Sequence, residues 1–347
     1  MLVARAAAAA LCGGRRAFSA VPSEAHLRDA LRTAVNQKVA DDLLRDGYAV
    51  VDNLFGRDTT TKMRDEILAI EPKMHLNHTH LVTAQGTEMV PKHSILEAEL
   101  RDPKIQALAP LCSSLQRDGM LHEILGKYSP KLQLESHAIK LQINEGAGGC
   151  FPIHNDTADG LDERRLTAIW YLNPDWKQGD GGELRLYPWP RETVDVAPIN
   201  DRLVLFSSAR LHHRVMPSNV RRVCFTIWMS EKKLEGEDLE AKKAAKQEAR
   251  RAVTQALARA QSLSPDEALD LILSDELRPF ACRLALADEW VQSLADSHPK
   301  KQADILIARF AQELQIIMRA VGPAMVAARV YQEGWDKRVA EHHIDWF

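Results

Sequence analysis

The stretch His213-Arg214-Val215-Met216, then Pro217-Ser218-Asn219, then Arg222-Val223-Cys224-Phe225-Thr226-Ile227-Trp228-Met229 reads as two short strands parted by a turn. Its runs are rich in β-branched and aromatic residues, and its break holds proline, serine and asparagine. The same texture extends upstream as Leu132 to Asn144, Leu166 to Leu172, Glu183 to Tyr187 and Arg202 to Ser207. Gly146-Ala147-Gly148-Gly149, Gly179-Asp180-Gly181-Gly182 and Pro188-Trp189-Pro190 supply turn chemistry between them. Many short strands at near-regular spacing predict a sandwich or jelly roll over residues 131–230.

On the N-terminal side, Leu27, Leu31, Val35, Val39 and Leu43 recur every fourth residue and predict a helix that ends near Gly47. Tyr48 to Phe55 reads as a strand, Thr61 to Ile70 as a helix, and Lys104 to Gly126 again as helical. Residues Glu71 to Met89, holding His75, His78 and His80, lack periodicity and read as a long loop. Residues 21–130 are therefore expected to be a helical support for the β core. After Ser230 the composition turns to Ala, Glu, Lys, Arg and Leu, which predicts an all-α extension over 231–347. Within it, Ser264-Pro265-Asp266-Glu267 is a capping box, the charged helix of Glu231 to Ala260 reads as a solvated face, and the apolar series Leu306 to Val321 should end at Gly322-Pro323.

The 347 residues carry 45 Lys plus Arg against 48 Asp plus Glu, a net charge of -3 that provides no basic field for nucleic acid. No apolar run approaches the roughly 18 residues of a membrane span. Five scattered cysteines without a C-x-x-C pair argue against a disulfide framework or a cysteine zinc site. Residues 1–20 bear Arg5, Arg15, Arg16 and Ser19 with no acidic residue before Glu24, the composition of a mitochondrial transit peptide. A matrix location is expected, with the cytoplasm as the alternative.

The chemistry concentrates in Phe151-Pro152-Ile153-His154-Asn155-Asp156. On an extended strand, residues at i and i+2 share a face, so His154 and Asp156 present an imidazole nitrogen and a carboxylate oxygen side by side. A non-haem iron centre of the two-histidine, one-carboxylate type needs a third ligand from elsewhere. His212 and His213 both offer one, and they point to opposite faces. Arg221 and Arg222 follow them at equal separations, so spacing alone leaves the pair open.

The ordered set of segments resembles the prolyl 4-hydroxylase type of Fe(II)- and 2-oxoglutarate-dependent dioxygenases. It runs from Gly47-Tyr48-Ala49-Val50-Val51-Asp52 through His154-Asn155-Asp156, Trp170-Tyr171-Leu172-Asn173, Asp175-Trp176, Gly181-Gly182-Glu183-Leu184 and Leu205-Phe206 to His213-Arg214-Val215-Met216-Pro217 and the Arg222 strand. In that family the ligand histidine opens H-x-V-x-P and an arginine opens R-x-x-x-T-x-W, which assigns His213 and Arg222. The resemblance implies a double-stranded β-helix, or cupin-like jelly roll, with Fe(II) on His154, Asp156 and His213. It implies 2-oxoglutarate held by Arg222 and Tyr171, with O2 as second cosubstrate and L-ascorbate as iron reductant. It further implies hydroxylation of a C–H bond, foremost of a prolyl residue in a peptide or protein, with release of succinate and CO2. Asn144-Glu145-Gly146 stands where many members carry a tyrosine. Two other readings are a dioxygenase of small molecules and a silent jelly-roll scaffold whose helical extension binds a protein partner.

Overall fold

The structure, a computed structural model, describes residues 22–83, 86–116, 120–157 and 162–347; the targeting segment read at residues 1–20 lies outside them. The chain opens with α1 (Glu24–Ala34) and α2 (Gln37–Asp46), where the apolar repeat predicts one helix. Asn36 divides them, because its side chain accepts a hydrogen bond from Lys38 N and caps α2. Gly47, at φ 82°, ends α2 and turns the chain into β1 (Tyr48–Asp52), which α3 (Arg57–Ile70) follows.

The segment expected to be a long loop is instead a hairpin, β2 (His75–Thr83) and β3 (Gly86–Glu99). Its register is set far away in sequence, since β3 pairs with β4 (Ser136–Asn144), Leu96 opposite Ile143 and Ala98 opposite Leu141. Strand formation imposed by a distant partner leaves no local period to read. Residues 21–130 thus supply strands as well as helices. The stretch read as helical over Lys104 to Gly126 forms three short helices, α4 (Pro103–Gln106), α5 (Pro110–Ser114) and α6 (Met120–Gly126), with Pro103 and Pro110 each opening a new helix.

After β4 come β5 (Gly149–His154), β6 (Arg164–Tyr171), β7 (Leu184–Tyr187), β8 (Val194–Val196), β9 (Arg202–Ser207), β10 (His212–Ser218) and β11 (Arg222–Ser230). Among the described residues they form an antiparallel jelly roll: a seven-stranded sheet in the order β1-β9-β6-β11-β4-β3-β2 and a four-stranded sheet in the order β5-β10-β7-β8. Alternation along the strands gives each sheet an outer and an inner face. The outer side of the larger sheet, with Ile139, Leu141, Val223 and Phe225, joins Leu27, Leu31, Met63 and Ile67 of the N-terminal helices in one core.

The extension comprises α7 (Gly236–Ala258), α8 (Pro265–Leu273), α9 (Arg278–Ala285), α10 (Ala287–Ser297), α11 (Lys300–Ala327) and α12 (Trp335–Glu341). Helix α7 buries no residue and the capping box at Ser264 is formed, both as the sequence suggests. Helix α11, however, continues through Pro323. An interior proline costs a helix about 3 kcal/mol, and here Val321, Ala324 and Ala328 are buried with Ala268, Ile272 and Ala281, which holds the helical path across it. The extension covers the outer face of the smaller sheet, where Ile153 and Tyr187 cluster with Trp290, Leu294 and Phe310.

The chain returns to the first core at Ile344, Trp346 and Phe347. Trp346 lies so close to Gly47 that a Cβ there would meet its ring at 2.5 Å, so Gly47 is required for space as well as for its positive φ. Ser207 Oγ donates to the Trp346 carbonyl at 2.7 Å, and the Arg278 guanidinium stacks 4.2 Å from the Trp346 ring centroid. Trp346→Ala should lower the unfolding free energy by about 3–5 kcal/mol. Urea denaturation checks this, and a loss below about 1 kcal/mol, the scale of an ordinary surface substitution, would mean the terminal segment is not anchored as described.

Candidate metal centre

β5 and β10 are antiparallel neighbours, and His154 stands directly opposite His213. Directly opposed residues share a face, so both imidazoles enter the barrel, their ring centroids 4.3 Å apart. Asp156, two residues beyond His154, sets its Oδ1 at 3.8 Å from His154 Nε2 and 3.7 Å from His213 Nε2. These separations exceed the roughly 3.2 Å limit of a good hydrogen bond. The groups therefore converge on a gap between them. Their ligand atoms all lie within 4.8 Å of one another, and among the described residues this is the His/Cys/Asp/Glu group close enough to hold a metal.

Local contacts aim each ring. His154 Nδ1 lies 2.8 Å from the Pro152 carbonyl and His213 Nδ1 3.2 Å from the Leu211 carbonyl. A carbonyl only accepts, so each Nδ1 is the donor and each Nε2 is the atom aimed at the gap. Burial foremost, then the neighbouring His213, lowers the His154 pKa against the opposing pull of Asp156. Burial alone would raise the Asp156 pKa, but the two imidazoles, the Thr167 hydroxyl and the Trp228 indole outweigh it and keep the carboxylate ionised. Thr167 Oγ1 donates to Asp156 Oδ2 and also contacts Ser208 Oγ at 2.8 Å, while Asp156 N donates to the Ser208 carbonyl at 3.0 Å. Phe206 packs 4.5 Å from the His213 ring.

The alternatives left open by spacing separate cleanly. His212 points outward, edge-on to Trp290 at 5.2 Å, and burial pushes its pKa down to about 3, so it stays neutral. Arg221 is 42% exposed and ion-paired with Glu71, whereas Arg222 is 1% exposed and faces the barrel interior. The Arg222 guanidinium carbon sits 4.8 Å from the Tyr171 ring centroid. Arg222 Nε and Nη1 and the Tyr171 hydroxyl are buried without a hydrogen-bond partner among the described residues. Burial drives the Tyr171 pKa up to about 12, with Arg222 opposing it, so the phenol remains a donor. Gly182, at φ 79°, leaves the space that Arg222 Cδ occupies, since a Cβ would come within 3.1 Å of it. An isolated buried guanidinium is costly unless paired. A carboxylate-bearing ligand would supply the missing acceptors in bidentate geometry. These donors fit one carboxylate of 2-oxoglutarate, and the triad fits a ferrous ion.

Residues 139–230 match the 2OG-Fe(II) oxygenase superfamily. They are a 2OG-Fe(II) oxygenase domain. The chain is homologous to Egl nine homolog 1 of Homo sapiens, 30% identical over 188 residues, which cover 52% of this chain and 43% of the relative. The Rattus norvegicus counterpart is 29% identical over 187 residues, covering 52% and 54%. The chain thus spans about half the length of the curated relatives it matches. Likeness extends beyond the oxygenase domain in a solved prolyl 4-hydroxylase from Phytophthora capsici, with TM-score 0.65 and 25% identity over 90% of this chain and 95% of that one.

All five residues singled out from sequence, His154, Asp156, His213, Arg222 and Tyr171, meet in the barrel. Asn144, in the place of a tyrosine, instead clamps a turn, accepting from Gly146 N at 3.0 Å and donating to the Gly149 carbonyl at 2.7 Å. His75 lies 3.6 Å from Glu97, apart from the triad, and the side chain of His80 lies outside the described residues. The sequence pattern assigns no role to Thr167 or Phe206. The one available signal for Thr167 is a lone aliphatic hydroxyl inside the largely apolar run Leu166 to Leu172. Thr167→Val should weaken Fe(II) binding by about 10- to 100-fold, the usual scale for a group that orients a ligand carboxylate. Anaerobic Fe(II) titration measures it, and unchanged affinity would show that the hydroxyl does not orient Asp156.

Proposed function

We propose that this chain is an Fe(II)- and 2-oxoglutarate-dependent dioxygenase that hydroxylates a prolyl residue in a peptide or protein. The observation that carries the reading is that Arg222 Nε and Nη1 and the Tyr171 hydroxyl, buried without a hydrogen-bond partner among the described residues, face the same interior as His154, Asp156 and His213. A scaffold gains nothing from an orphaned guanidinium in its core, so the silent reading loses its rationale.

The residues divide the work. His154, Asp156 and His213 would hold Fe(II), with the Nδ1 contacts aiming both Nε2 atoms at the gap and Thr167 fixing the Asp156 carboxylate. Arg222 would pair with the distal carboxylate of 2-oxoglutarate, and the Tyr171 hydroxyl would donate to the same group. When bound, the iron centre couples conversion of 2-oxoglutarate and O2 into succinate and CO2 to insertion of one oxygen atom into a C–H bond. The protein binds and orients, and the walls of Phe206, Trp228 and Tyr171 restrict water. L-ascorbate belongs to the proposal as the agent that returns oxidised iron to the ferrous state. Homology to the Egl nine proteins, and likeness to a prolyl 4-hydroxylase along most of the chain, support a prolyl target over a small molecule.

The protein lacking residues 1–18 is to be supplied with Fe(II), ascorbate, 2-oxoglutarate and proline-containing peptides, beside His154→Ala. The expected result is succinate release and a peptide heavier by one oxygen on proline, both absent from His154→Ala. Succinate output equal to that of the variant across the peptide set would refute the activity. Succinate formation stimulated only by small molecules would refute the prolyl target.

A further inference from the structure

We infer that α10 of the helical extension is the rigid backing of the metal centre, with Ser293 and Trp290 acting as positioning residues for His154 and His213. This rests on the reading that the triad holds a metal.

β5 is an edge strand of the four-stranded sheet, so its outward amides have no ladder partner. The residue before His154 solves this through the extension. Ile153 N donates to Ser293 Oγ at 3.1 Å, and Ser293 Oγ donates in turn to the Trp290 carbonyl at 2.7 Å, with Ser293 wholly buried. Pro152 has no amide to satisfy, and its carbonyl is the one that orients His154. Cys150 Sγ, further along β5, lies 3.3 Å from the Asp296 carbonyl of the same helix.

β10 is held in the same way on both sides of its ligand. His212 packs edge-on to Trp290, and the buried Arg214 pairs with Asp296 at 2.7 Å. The two strands that carry the imidazoles are thus fastened to one helix, by contacts at the residues next to each histidine. That helix is itself pinned. Trp290 stacks on Phe310 of α11 at 5.4 Å, and Glu289 accepts from the Tyr187 hydroxyl at 2.6 Å and pairs with Arg185 at 2.8 Å. Metal affinity depends on ligands being held in place before the ion arrives, and supporting contacts of this kind are worth about 10- to 100-fold in binding.

The test uses the full chain and Mn(II), a redox-inert probe, with affinity from calorimetry and ligand geometry from the Mn(II) electron paramagnetic resonance spectrum. Circular dichroism gives the folded fraction against which each titration is scaled. Ser293→Ala and Trp290→Leu should each bind Mn(II) about 10- to 100-fold more weakly with altered spectra. Trp290→Phe, which keeps an aromatic edge against His212, and Asp288→Ala, on the exposed side of α10, should stay close to the wild type. Wild-type affinity and spectra in both Ser293→Ala and Trp290→Leu would overturn the inference while leaving the metal centre intact. Failure of the wild type itself to bind Mn(II) would overturn the metal reading and this inference together.

Discussion

Strands β5 and β10 pair so that His154 faces His213 across the ladder, and every other feature of the centre is built on that register. A slip of one residue would turn His212 inward and His213 onto the helices, because side chains alternate between faces. The register is guarded from both sides. Inside, Phe206 packs against His213, and the Pro152 and Leu211 carbonyls hold the ring orientations. Outside, His212 and Arg214 are committed to α10, where a slip would strand a buried guanidinium away from Asp296. Asp156 follows two residues after His154, and Thr167 and Ser208 from distant parts of the chain fix it at the same gap.

The second half of the site comes from the larger sheet. Arg222 on β11 and Tyr171 on β6 sit on adjacent strands, with Cys224 opposite Tyr171 in the ladder. Gly182 supplies the space for Arg222, and Glu183 favours its charge from nearby. A carboxylate arriving there would supply the acceptors that Arg222 Nε and Nη1 lack among the described residues. The near-balanced charge of the whole chain is compatible with this, because recognition by one positioned guanidinium requires no bulk field.

Much of the centre was readable because its logic is local. The i, i+2 spacing of His154 and Asp156 brings both to one gap although β5 ends at His154, and the strand of Arg222 carries its alternation openly. What could not be read depends on pairing across the chain. The β2–β3 hairpin takes its register from β4, so residues 71–89 carry no period of their own. Pro323 stays helical because of what its neighbours bury, and a proline rule applied to the sequence sees only the local penalty. Ser293 and Trp290 look like ordinary helix residues until α10 is seen lying on the ligand strands. The extension, legible as helices, was opaque as to purpose for that reason.

One interior pairs a metal triad with an arginine whose buried Nε and Nη1 lack acceptors among the described residues, and 2-oxoglutarate binding tests this pairing most directly. Calorimetry of 2-oxoglutarate in the presence of Mn(II) should show binding that requires the metal and weakens by about 100-fold or more in Arg222→Met, the scale of losing one partner of a buried charge pair. Metal-independent binding, or equal affinity in Arg222→Met, would contradict the account.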